Sequence, residues 1–79
     1  MRLQLASLRT PEAAKEEWSR LKREHPELLG RLTAVAVKAD LGDKGVWYRV
    51  QTQSFDNAAA AERLCADLKK QNIGCSLAH

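Results

Sequence analysis

Three side chains in one short stretch are equipped for directed contact. In Val46-Trp47-Tyr48-Arg49-Val50-Gln51 an indole, a guanidinium and a carboxamide fall on every second position. Two is the side-chain period of a β-strand. Trp47, Arg49 and Gln51 therefore share one face, and Val46, Tyr48 and Val50 share the other. The indole offers a broad apolar surface with one N–H donor. The guanidinium is a rigid fork of donors that suits a carboxylate, and the carboxamide both donates and accepts. Such a set can hold a hydroxylated, partly anionic ligand. It cannot break a bond. The chain shows no nucleophile–base pair, no paired-carboxylate site and no phosphate-cradling glycine loop, so no enzyme is expected. His25 and His79 have no companions, and Cys65 and Cys75 lack the spacing of metal ligands, so neither metal nor cofactor is expected.

The elements that must hold this stretch can be read in order. Arg2–Leu8 alternates, with Leu3 and Leu5 toward a core and Gln4 and Ala6 away from it, and reads as a strand. Thr10 is a helix cap, and Pro11 suits a first helical position because its missing N–H is not needed there. The helix runs to about Arg23 or Glu24, burying Ala14, Trp18 and Leu21 on one stripe. Pro26 stops it and opens a linker that Gly30 closes. A second strand runs from Leu32 to Lys38, with Thr33, Val35 and Val37 on one face. Asp40–Gly45 has turn composition and joins it to the Val46 strand as a hairpin. Asp56-Asn57 caps a second helix from Ala58 to Lys70, whose buried stripe is Ala61, Leu64, Cys65 and Leu68. Ile73, Cys75 and Leu77 alternate in a last strand. The halves echo each other: Leu3–Leu8 recurs as Val50–Phe55, and Ala13-Ala14, Leu21 and Lys22-Arg23 recur as Ala60-Ala61, Leu68 and Lys69-Lys70. The expected fold is α+β, a βαββαβ ferredoxin- or RNP-like, four-stranded antiparallel sheet with two helices on one face. That leaves one sheet face open, carrying Gln4, Ala6, Trp47, Arg49, Gln51 and Ser76.

The chain has 79 residues and a net charge of +3, which suits one small domain and mild attraction to anionic polymers. No apolar stretch is long enough to cross a bilayer, so no membrane insertion by this segment is expected.

The order, duplication and spacing of these motifs resemble the SPOR domain (sporulation-related repeat) of bacterial cell-envelope proteins. The carriers are Leu3-Gln4-Leu5-Ala6-Ser7-Leu8 with the alanine-rich helix ending at Leu21-Lys22, then Gly45–Phe55, then Ala61-Glu62-Arg63-Leu64, Leu68-Lys69 and Asn72-Ile73-Gly74-Cys75. The resemblance spans nearly the whole chain. It implies the fold above and non-catalytic binding of peptidoglycan, in particular glycan strands stripped of stem peptides at division septa, through the open sheet face. Carried over by position, the contact residues are Gln4, Ser7, Trp47 and Arg49; Gln51 is added because it shares their face. The resemblance also implies a periplasmic setting and a parent envelope protein, of which residues 1–79 would be one domain, expected to act as a monomer. The glycine usual before the serine of the repeat is Ala6 in the first half and Gln53 in the second. Ala6 would narrow a shallow cleft, and Gln53 would remove a positive-φ option. Stripped strands expose lactyl carboxylates that intact peptidoglycan holds as amides, and Arg49 is suited to pair with them.

Other readings compete. Trp47 alone would pass as edge packing, Gln4 as a solvated strand residue and Ser7 as a turn former. RNA-recognition domains share the element order and the open face, but their third-strand aromatic positions fall here on Val46, Tyr48 and Gln51, one match in three, so no nucleic acid is expected. A protein-interaction module is compatible with the same fold. Cys65 and Cys75 would be packed thiols in a reducing compartment; in the periplasm that the resemblance implies they are candidates for a disulfide.

Overall fold

A computed structural model describes residues 1–78; His79 lies outside the described residues. The elements are β1 (Arg2–Leu8), α1 (Pro11–Glu24), α2 (Pro26–Leu29), β2 (Ala34–Asp40), β3 (Val46–Thr52), α3 (Ala58–Lys70) and β4 (Ser76–Ala78), with a 3₁₀ turn at Gly42–Lys44. The strands form one antiparallel sheet in the order β2-β3-β1-β4. The α+β fold read from the sequence is the one observed.

The helix ends follow their capping chemistry. Thr10 Oγ1 accepts from the Ala13 amide at 3.0 Å, and Asn57 Oδ1 accepts from the amides of Ala59 and Ala60 at 2.8 and 3.2 Å. At the far end of α3, Asn72 takes φ 63°, which lets the Ile73 amide reach back to the Leu68 carbonyl at 3.0 Å. Asparagine tolerates that left-handed turn better than most residues. The turn also delivers Ile73 into the core beside Leu68. A covalent bond then ties α3 to the chain entering β4: Cys65 and Cys75 are bridged, with Cα atoms 5.5 Å apart.

The core lies between the sheet and the helices. Leu3, Leu5, Val50, Ala14, Leu21, Leu29, Ala61, Cys65, Leu68 and Ile73 are buried in it. Among the described residues Thr52 is the buried polar one, and both of its needs are met: its hydroxyl accepts from the Leu3 amide at 3.1 Å and donates to the Gln53 carbonyl at 3.0 Å.

Four sequence expectations need correction. The last strand is shorter than the alternation of Ile73, Cys75 and Leu77 suggests: it covers Ser76–Ala78, and Ile73 and Cys75 lie in the chain entering it. The linker after Pro26 contains α2, begun by that proline at its first position; it exists because Leu29, fully buried, anchors the turn in the core. The second strand is shifted by two residues, to Ala34–Asp40: at its start the Thr33 amide bonds to the Gln53 side chain at 2.9 Å, and at its end the pairing continues to Asp40 opposite Val46. Ala6 packs toward the core, not on the open face. Gln4 pairs with Gln51 but Ala6 pairs with Val50, so β1 holds one more residue than β3 over that interval. The extra residue, Leu5, makes a β-bulge that turns both Leu5 and Ala6 toward the helices.

Candidate functional site

The bulge decides which side chains meet on the open face. Strict alternation would put Gln4 and Ser7 on opposite faces. With Leu5 bulged, Gln4 stands beside Gln51 and Ser7 beside Arg49. The β2 pairing extends these rows, with Val35 next to Gln51, Val37 next to Arg49 and Ala39 next to Trp47. Ser76 of β4 joins the first row beside Gln4. The open face therefore has two lanes. One, over β2, is apolar; the other, over β3, β1 and β4, is polar.

The apolar lane was only half legible. Val35, Val37 and Ala39 share a face as β-strand alternation requires, yet that face is the one without helices, and Val35 is 56% exposed. The helix-side positions of the same strand are Ala34 and Ala36, which are partly buried against the core and, with Ala14 and Trp18 of α1, line a cleft of about 510 Å³. β-branched residues suggest a core, but here the alanines take the packed side.

Gln4, Ser7, Trp47 and Arg49 converge on one shallow cleft of about 530 Å³, completed by Leu41 and Lys44 from the hairpin turn. Four of the five contact residues expected from the sequence thus line a common depression. Gln51 does not line it. It lies one row along and donates from Nε2 to Gln4 Oε1 at 3.3 Å, orienting the amide that does. Leu41 and Lys44 were read as turn composition. The signal that marks Leu41 is the continued alternation from Val35 through Val37 and Ala39, which puts a 40% exposed leucine on the open side.

Two details set the chemistry. The Trp47 Nε1–H donates to the Lys44 carbonyl at 3.0 Å. The expected free donor is therefore engaged by the hairpin, and the indole offers its apolar surface alone. Arg49, half-buried, forms no ion pair among the described residues, whose ion pairs are those of Arg20 with Glu17 and Glu24. Its guanidinium is free for an external anion. The two departures from the SPOR pattern also acquire places. Ala6 faces the core and does not line the cleft, so it narrows nothing there. Gln53 has no positive φ, and its side chain accepts the Thr33 amide at the end of the sheet.

No group of three or more potential metal ligands occurs among the described residues, and no helix among them is long and apolar enough to cross a membrane. Comparison with the curated proteins and with the solved structures finds no match. The family model of the SPOR domain matches residues 1–78. The chain belongs to the SPOR domain family, the peptidoglycan-binding modules of bacterial cell-envelope and cell-division proteins.

Proposed function

We propose that this domain binds peptidoglycan glycan strands stripped of their stem peptides, and that the open sheet face is the binding surface. The observation that carries the reading is the convergence of Gln4, Ser7, Trp47 and Arg49 on one cleft, with the Arg49 guanidinium lacking an internal carboxylate among the described residues. A pyranose ring has an apolar C–H face and a rim of hydroxyls. The Trp47 surface suits the first, and Gln4 and Ser7 suit the second. Arg49 pairs with the lactyl carboxylate that stem-peptide removal exposes, and a charge-assisted, two-point contact of that kind is stronger than one to a neutral amide. In this reading the domain contributes no catalysis. It acts as a periplasmic monomer and delivers a longer parent protein to the septum or wall.

The test is cosedimentation of the folded domain with isolated sacculi, before and after an amidase has removed the stem peptides. Binding should rise on stripping and drop for Trp47→Ala. A folded domain that binds neither preparation would overturn the reading and direct attention to nucleic-acid or protein ligands.

A further inference from the structure

The wall of the cleft is itself held in place. Arg9, the residue that follows β1, sets its Cζ 4.4 Å from the centroid of the Trp47 ring. Its Nη1 donates to the Lys44 carbonyl at 3.2 Å, the same oxygen that receives the Trp47 Nε1–H at 3.0 Å. One carbonyl therefore joins a guanidinium, an indole and the hairpin turn. Arg9 covers the ring without lining the cleft. Gly45 completes the arrangement. It takes φ 87°, a conformation that side-chain-bearing residues avoid, and a Cβ there would stand 3.1 Å from Arg9 Nη1. The glycine that turns the chain into β3 also leaves the room that the guanidinium fills.

We propose that Arg9 is a positioning residue for ligand binding. It holds the indole of Trp47 as the wall of the cleft and, through the Lys44 carbonyl, fixes the turn that brings Leu41 and Lys44 to the rim. The proposal rests on the glycan reading of the cleft. A tryptophan at the end of a strand can turn about two side-chain bonds, and a ligand that must first order it binds more weakly. Arginine fits the task because its planar fork stacks on the ring and reaches the carbonyl together. The ammonium of lysine carries the same charge but has no plane to stack.

The experiment uses a Trp18→Phe background, in which Trp47 is the sole indole, with Arg9→Gln and Arg9→Lys variants. Acrylamide quenching reads the ring without any ligand, titration with amidase-stripped glycan strands reads affinity, and chemical denaturation reads the fold. Both variants should leave Trp47 more accessible to quencher and weaken glycan binding about fivefold, with the denaturation midpoint little changed. Two results would overturn the proposal: a Trp47 as protected in Arg9→Gln as in the parent, or full affinity restored by Arg9→Lys, which would make charge alone the contribution. A parent domain that binds no glycan sinks the functional reading, while the quenching result still decides whether Arg9 orders the ring.

Discussion

Among single residues, the proposed reading gives Arg49 and Trp47 different tasks on one ligand. Trp47 has spent its N–H on the Lys44 carbonyl, so it contributes apolar surface and discriminates little between glycans that differ only in their carboxyl substituents. In that reading Arg49 is the residue that tells a free carboxylate from an amide. Arg49→Gln should therefore lower affinity for stripped strands roughly tenfold or more while barely touching affinity for intact ones, because a charge-assisted hydrogen bond is worth about 1.5–3 kcal/mol. Arg49→Lys keeps the charge without the fork and should fall between the two. The ratio of the two dissociation constants, measured for each variant, checks this. A ratio unchanged by Arg49→Gln would remove Arg49 from selectivity. Trp47→Ala should weaken both ligands alike.

At the scale of elements, two interactions are discrete enough for their loss to be measured. The Cys65–Cys75 bond closes a loop with a sequence separation of 10 and pins α3 to the chain entering a strand of only three residues. The double Cys65→Ser, Cys75→Ser variant should lose about 2–3 kcal/mol of stability by loop-closure entropy, read as a fall in the urea midpoint. Its glycan affinity should hold wherever it remains folded, since Trp47 and Arg49 lie on β3 and the bond does not touch them. A second test concerns α1. Arg20 grips Glu17 at 2.8 Å and Glu24 at 3.0 Å, and the hydrogen bond from Arg20, more than its charge at a distance, holds the Glu17 carboxyl below its ordinary value of 4.5. A carboxyl lowered in the folded state stabilises above its unfolded value, and the benefit disappears as pH falls through the folded one. Glu17→Gln should accordingly cost a little stability at neutral pH and nothing once Glu17 is protonated. The effect stays small because the Arg20 side chain is 44% exposed and solvent screens the pair. Denaturation midpoints at neutral and strongly acidic pH would show the gap closing.

At the scale of the whole molecule, the element order was legible because caps, turns and periodicity agree over most of the chain. Thr10-Pro11, Asn57 and the alternation of β3 each point the same way. The open face was legible wherever alternation is strict, which is why Trp47, Arg49 and Gln51 were placed together. It failed at β1, because a bulge leaves no mark in a six-residue run of mixed polarity. Period two separates Gln4 from Ser7; the register unites them and removes Ala6. The Arg9–Trp47 contact was not legible either, since it depends on where two strand ends lie. One consequence concerns ionic strength. The net charge of +3 is mild, and the cleft itself is served by Arg49 and Lys44, with Arg9 occupied behind the indole. Each anion neutralised contributes roughly 0.7–0.9 to the slope of log affinity against log salt, by analogy with nucleic-acid phosphates. One or two carboxylates at the cleft thus predict a slope between about −0.7 and −1.8, a loss of only about three- to twelvefold between 50 and 200 mM salt. An RNA ligand spread along the sheet would engage many phosphates and lose about a thousandfold or more over the same range. Titrating stripped glycan strands across that range separates the two. A shallow slope fits a cleft that reads one carboxylate at a time, and a steep one would move the domain to the nucleic-acid class despite its single open-face aromatic.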